Sequence, residues 1–339
     1  MKKNPILNHK PLGFQWPVEN PFIFCAHHSD FYPKGNGNLG PKASLEGRNI
    51  GQDFDSNLPW RMYHGEKIPG FPVHPHRGFE TITIVTKGIV DHSDSHGQAG
   101  RYGGGDVQWM TAGSGLQHSE MFPLLKTEDS NELELFQIWL NLPASKKMVE
   151  PHFKMLWSEE IPLVKLTDER GKNTTIKIVA GNYLDNKALE PAPDSWAESA
   201  DNEVNIWLIK IEAGTEWQIP ASQIGANRWL YYYKGGSIKI NELDFNQKKA
   251  FQLDDSSLVT LISIDEDSYF VLLQGRPIQE PIAQYGPFVM NKQSEIQQAF
   301  LDYQRTQFGG WPWPQKDMVH GTTKGRFAKF KDGTITDKG

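Results

Sequence analysis

At 339 residues the chain has room for two domains, and its 38% hydrophobic and 12% aromatic residues can fill substantial cores, which excludes a disordered protein. Lys and Arg number 35 against 41 Asp and Glu, a net charge of −6 with no basic stripe, so phosphate-backbone binding is excluded as the main business. The single cysteine, Cys25, excludes a disulfide framework and a thiolate-rich metal site, and reads as a small buried hydrophobe.

The chain opens MKKNPILNHK, where Asn4, Pro5, Asn8, His9 and Lys10 break up any apolar core of the kind a signal peptide needs. No segment approaches the roughly 18 apolar residues of a membrane span, so the expectation is a soluble, cytoplasmic protein with no membrane partner. His27, His28 and His64 follow in a long stretch from about 25 to 65 and read as surface or pocket-rim residues.

HPHRGFE (74–80) then places His74 and His76 at i and i+2 of a predicted strand, on one face, with Cα atoms about 6.6 Å apart. Strands are predicted at TITIV (81–85), DVQWM (106–110), ELFQIWL (134–140), TIKIV (175–179), VNIWLIKI (204–211), RWLYYY (228–233), SIKI (237–240), SLVTLISI (257–264) and YFVLLQ (269–274). Turn residues bound each of them, and the spacing points to antiparallel sandwiches or barrels, an all-β class. DHSDSHG (91–97) reads as a turn carrying His92, Asp94 and His96, either placed to orient ligand histidines or simply a solvated loop. Trp109 is a candidate pocket wall, although such a tryptophan more often belongs to a core.

AGSGLQHSE (112–120) supplies a second i, i+2 pair, His118 and Glu120. Two strands that each offer two same-face ligands give three imidazoles and one carboxylate, a set suited to divalent Fe, Mn, Ni, Cu, Co or Zn, with vacant positions on an octahedral ion. Glu80 shares the parity of the first pair but lies about 13 Å beyond His76 on a regular strand, and would need a bend at Gly78 to reach the ion. Glu120 is preferred.

Beyond the first group of strands, LEPAPDSWAESADNE (189–203) reads as an excursion or inter-domain segment. Ser294 with Gln297 forms a capping-box pattern for a helix whose apolar stripe is Ile296, Ala299, Phe300 and Tyr303, stopped by Gly309 and Gly310. The tail, with two Trp and two Pro close together, is expected to lie extended across the body.

HPHRGFETITIVTKGIVDHSDSHGQAG, then GGGDVQWMTAGSGLQHSEMF, FQIWLNLPASKK and EPIAQYGPFVMN resemble the pirin family of the cupin superfamily over most of residues 20 to 308. The resemblance implies two tandem cupin β-sandwich barrels: 1–150 with the metal site, 151–290 without one, and a helix and tail over 291–339. It implies an ion, usually iron, on His74, His76, His118 and Glu120, and an activity like quercetin 2,3-dioxygenase. A small aromatic, flavonol-like substrate and O2 are the expected partners, with a transcription factor or metabolic enzyme as the alternative and no direct nucleic acid. Two segments depart from the family: the stretch at 25–65 is longer, and the tail past Gly309 is an extension. In the second barrel the place of the chelate reads GTEWQIPASQIGANRW, with Trp217 and Ile219 where imidazoles would stand, so a structural role is expected of it.

Overall fold

A computed structural model describes residues 4–339 apart from residue 224. The chain divides into two compact units, one of residues 1–25 with 159–279 and the other of 26–158 with 280–339. No helix among the described residues is long and apolar enough to cross a membrane.

The first unit stacks a seven-stranded antiparallel sheet on a four-stranded one. The large sheet runs Ile6–Pro11, Lys249–Leu253, Asn227–Lys234, Ser268–Gly275, Asn205–Ile211, Asn173–Ala180 and Leu163–Thr167. The small one holds Glu216–Ile219, Val259–Ser263, Ile238–Ile240 and Leu243–Phe245. Alternation along each strand turns one set of side chains inward. Ile176, Ile178, Ile209 and Leu272 from the large sheet meet Ile238, Ile240 and Leu261 from the small one in a single core. The segment 189–203 belongs to this unit and carries two short 3-10 turns, Trp196–Glu198 and Ala200–Asn202.

The second unit holds a five-stranded and a six-stranded antiparallel sheet. The five-stranded sheet is ordered His152–Leu156, Val107–Thr111, Phe79–Lys87, Asn131–Asn141, Phe22–Tyr32, the last strand counted in this unit from Ala26 onward. Its central strand is buried from Phe79 to Val85, with Glu80, Thr81 and Thr83 among the covered side chains, so both of its faces are packed. The six-stranded sheet is ordered Ile335–Asp337, Phe327–Lys329, Ala99–Gly103, Ile89–Asp94, Leu116–Met121, Gly70–His76. All nine strands predicted from composition and turns are present across the two units.

Three local expectations need correction. His92 and Asp94 sit on the strand Ile89–Asp94, and the turn begins only after them, because the Asp94 carboxylate collects the backbone N–H groups of His96 and Gln98 at 2.9 and 3.0 Å. The helix is Gln293–Thr306, starting two residues earlier than a Ser294 cap implied. Glu295 does the capping instead, its carboxylate accepting from Lys292 N–H and Asn291 N–H, both at 3.0 Å. The helix stops at Gln307, which takes a left-handed conformation (φ 49°) ahead of the two glycines. Its stripe does pack as read: Ile296 and Ala299 are buried against Phe288 and Met290 of a short hairpin, with Phe300 and Tyr303 beside them.

The tail is knitted into the six-stranded sheet. Phe327–Lys329 pairs with Ala99–Gly103, and Ile335–Asp337 pairs outside it. Arg101, 1% exposed, grips the Asp91 carboxylate at 2.6 and 2.7 Å and also donates to the carbonyls of Lys324 and Gly321. His320 N–H donates to the same carboxylate at 2.8 Å. A buried guanidinium survives only when its donors are matched in this way.

Candidate metal centre

Two neighbouring strands of the six-stranded sheet bring the predicted ligands together. Gly70–His76 pairs with Leu116–Met121 in a register that sets His74 directly opposite His118, and an irregularity between Phe71 and His74 re-aims the end of the first strand. Ring centroids lie 4.4 Å apart for His74 and His118, 4.8 Å for His74 and His76, and 5.0 Å for His76 and His118. One nitrogen from each ring falls within 4.8 Å of the others, so the triad could hold a metal ion.

The electrostatics suit a cation. Burial pulls His74 down to about 4 and holds His76 and His118 well below the usual imidazole range; the neighbouring rings lower all three further. Neutral imidazoles keep a lone pair to give. His74 Nδ1 lies 2.9 Å from the Pro72 carbonyl, and a carbonyl only accepts, so Nδ1 carries the proton and Nε2 is left as the donor atom for an ion. His76 Nδ1 faces the Pro287 carbonyl at 3.4 Å. The orienting partners are therefore backbone carbonyls, not the residues of DHSDSHG. His118 is fully buried, and neither of its ring nitrogens has a hydrogen-bond partner. A buried polar group left unpaired costs about 1–3 kcal/mol, which a coordinated ion would remove.

Glu120 stands beside the triad, not within it. Its Oε2 is 3.9 Å from His118 Nε2, while Oε1 accepts from Thr83 Oγ1 at 3.0 Å and faces Tyr102 OH at 3.5 Å. Burial pushes its carboxyl above the ordinary carboxylate range, against the opposing pull of His92, Thr83 and Tyr102. Glu80 is occupied elsewhere, accepting from Trp109 Nε1 at 3.1 Å and Thr111 Oγ1 at 2.9 Å. That pairing makes Trp109, fully buried, a core residue. His27 stacks on Phe136, buried His28 packs edge-on to Tyr63 and Phe71, and His64 bonds the Gly51 carbonyl; none joins the triad.

Two other walls of the site were not anticipated. Trp139 packs 5.4 Å from the His76 ring and Phe71 6.3 Å from the His74 ring. His92 lies directly across the strands from Glu120, its ring 5.4 Å from His118 and stacked on Phe153. The signal for Trp139 was available: it shares a strand face with Gln137, the polar residue inside the run LFQIWL, and Gln137 Oε1 lies 2.8 Å from the Thr83 hydroxyl that meets Glu120. The long stretch at 25–65 contributes Phe54 and Tyr63, both of which pack tilted against Phe71.

Two family models match the chain, Pirin over residues 48–140 and the Pirin C-terminal cupin domain over 206–309. The chain belongs to the pirin family. Pirin from Mus musculus is 35% identical over 274 residues, 77% of this chain and 87% of its own length. Pirin-1 from Arabidopsis thaliana is 35% identical over 261 residues, covering 71% of this chain and 78% of its own. A solved quercetin 2,3-dioxygenase from Acinetobacter baumannii superposes with a TM-score of 0.67 at 28% identity, over 90% of this chain and 96% of the other. The all-β architecture of two cupin domains is thus that of pirins, and the triad lies inside the segment matched by the first family model.

Proposed function

We propose that this pirin-family chain is a metal-dependent dioxygenase that cleaves a flavonol such as quercetin with O2 and releases carbon monoxide. The observation that carries the reading is the buried triad, three neutral imidazoles aimed at one point with both nitrogens of His118 unpartnered. His74, His76 and His118 would hold the ion, iron before manganese, nickel, copper, cobalt or zinc, and Glu120 is the fourth protein group beside it. When bound, the ion supplies Lewis acidity that lowers the pKa of a hydroxyl, and vacant positions for small ligands.

The remaining tasks fall to side chains of this unit. Glu120 takes the proton of the flavonol hydroxyl on Oε2, the oxygen nearer His118, while Thr83 holds Oε1 and fixes the carboxylate's orientation. A carboxyl that burial makes more basic is a better acceptor for that proton. Phe71 and Trp139 present apolar faces to a flat aromatic ring, and the low exposure of the site excludes bulk water. The likeness to a quercetin 2,3-dioxygenase structure supports the substrate class. The test is O2 uptake and carbon monoxide release with quercetin, comparing iron-loaded and chelator-treated protein. Equal turnover in both would end this reading.

A further inference from the structure

The barrel of the first unit carries a cavity of its own, about 800 Å³ in volume. That is within the size range of small-molecule sites. The strand Glu216–Ile219, which occupies the place where a chelate would stand, lines it through Glu216, Trp217 and Gln218.

The aromatic part of the lining is fixed in place. Tyr183 meets Trp207 at 5.4 Å and 78° and Trp217 at 5.8 Å and 60°, three rings set as a corner. Trp217 Nε1–H donates to the Tyr183 hydroxyl at 3.0 Å, so that hydroxyl keeps its own proton to give. The Trp207 indole N–H has no acceptor, although the residue is only 3% exposed. Leu184 and Leu258 stand at the mouth, 65% and 50% exposed, an arrangement that costs hydrophobic surface unless something covers it.

The polar part sets the charge of the guest. Glu203 and Glu216 line the cavity and no lysine, arginine or histidine does so among the described residues, so an anion would meet repulsion with no counter-charge. Gln274 Nε2 donates to Glu203 Oε2 at 3.2 Å, and Asn205 Oδ1 accepts from the backbone N–H of Asn182 at 3.1 Å, which holds the polar wall in shape without a guest. Carboxylates accept, the Tyr183 O–H donates, and carboxamides do both. A hydroxyl also does both, whereas an ammonium only donates and could accept nothing from the Tyr183 O–H.

We propose that the second cupin barrel is a binding site for a neutral, hydroxyl-rich ring compound, a sugar or the sugar part of a glycoside, seated with one apolar face on the Tyr183–Trp207–Trp217 corner. The site is separate from the triad and does not depend on the dioxygenase reading.

The test uses the full-length, metal-loaded chain titrated with maltose, cellobiose, choline and inorganic phosphate, followed by NMR through the tryptophan indole N–H signals. Spectra of Trp207→Phe and Trp217→Phe assign the two signals that matter. Maltose or cellobiose should shift both in a saturable way while choline and phosphate leave them still. Leu258→Trp, a change at a half-exposed position that fills the mouth without touching the core, should weaken the sugar at least tenfold. Sugar shifts that survive Leu258→Trp unchanged would overturn the proposal. So would a shift by choline or phosphate in place of the sugars, or two sugars that leave both signals unmoved at tens of millimolar.

Discussion

Replacing Glu120 by Gln separates the two jobs a carboxylate can do beside a metal. Glutamine keeps the shape and the acceptor oxygen that Thr83 contacts at 3.0 Å, and it removes the charge and the basicity. The triad's ligand atoms cluster without Glu120, whose nearer oxygen is 3.9 Å from His118 Nε2. Metal content should therefore stay at the wild-type level. Loss of a positioned base costs about 10²–10⁴ in rate, a barrier increase of about 3 to 5 kcal/mol. Folding should not suffer, because burial disfavours the charged form of this carboxyl and the amide carries no charge to desolvate. The assay pairs metal analysis with quercetin-dependent O2 uptake on the same preparation. A variant that loses its metal along with its turnover would make Glu120 a required ligand, and one that turns over normally would remove it from the chemistry; either result refutes the assignment.

Arg101→Met should cost about 3–5 kcal/mol and lower the melting temperature by roughly 6 to 20 °C, because the buried Asp91 carboxylate loses its bidentate partner. Combining it with Asp91→Asn should recover part of that loss in a thermal melt, and no recovery would argue against the ion pair as the cause. Acid should destabilise the chelator-treated protein. An imidazole whose folded pKa lies below its unfolded value contributes stability that is complete above the unfolded value and is lost as pH falls towards the folded one. For His74 that window runs from 6.5 to about 4, worth up to about 3 kcal/mol, and His76 and His118 add in the same direction. Urea midpoints should fall steadily across this range, and a flat profile would contradict the buried neutral triad. Gly115→Ala should destabilise as well, since the added methyl would sit 2.8 Å from the Phe308 ring at a backbone φ of +125°; an unchanged melt would show that Phe308 can yield.

Much of this was legible because period-two spacing is a local property. His74, His76, His118 and Glu120 announce themselves by parity, and the glycines and prolines between apolar runs mark the strands that carry them. What the sequence hid was non-local. Nothing in DHSDSHG told that His92 would pair across from Glu120 on a strand, since that depends on the register of Ile89–Asp94 against Leu116–Met121. The tail's composition announced contact but not its partner, because the Arg101–Asp91 pair that anchors it lies more than 200 residues earlier. The departure at Ser294 has a simple cause. Glu295 reaches back to two N–H groups, and a carboxylate near the start of a helix is favoured by the helix dipole as well. The lining of the second barrel was in view as GTEWQIPASQIGANRW, but as the absence of a chelate; the hollow itself appears only when Glu203, Asn205 and Gln274 are folded around it.

Everything proposed for catalysis requires a cation bound by the imidazoles of His74, His76 and His118. Full-length protein purified without added metal, then reconstituted with ferrous iron and desalted, should carry close to one ion per chain by elemental analysis, and His118→Ala should carry almost none. Wild-type protein that emerges empty, or a variant that fills as well as its parent, would contradict the account.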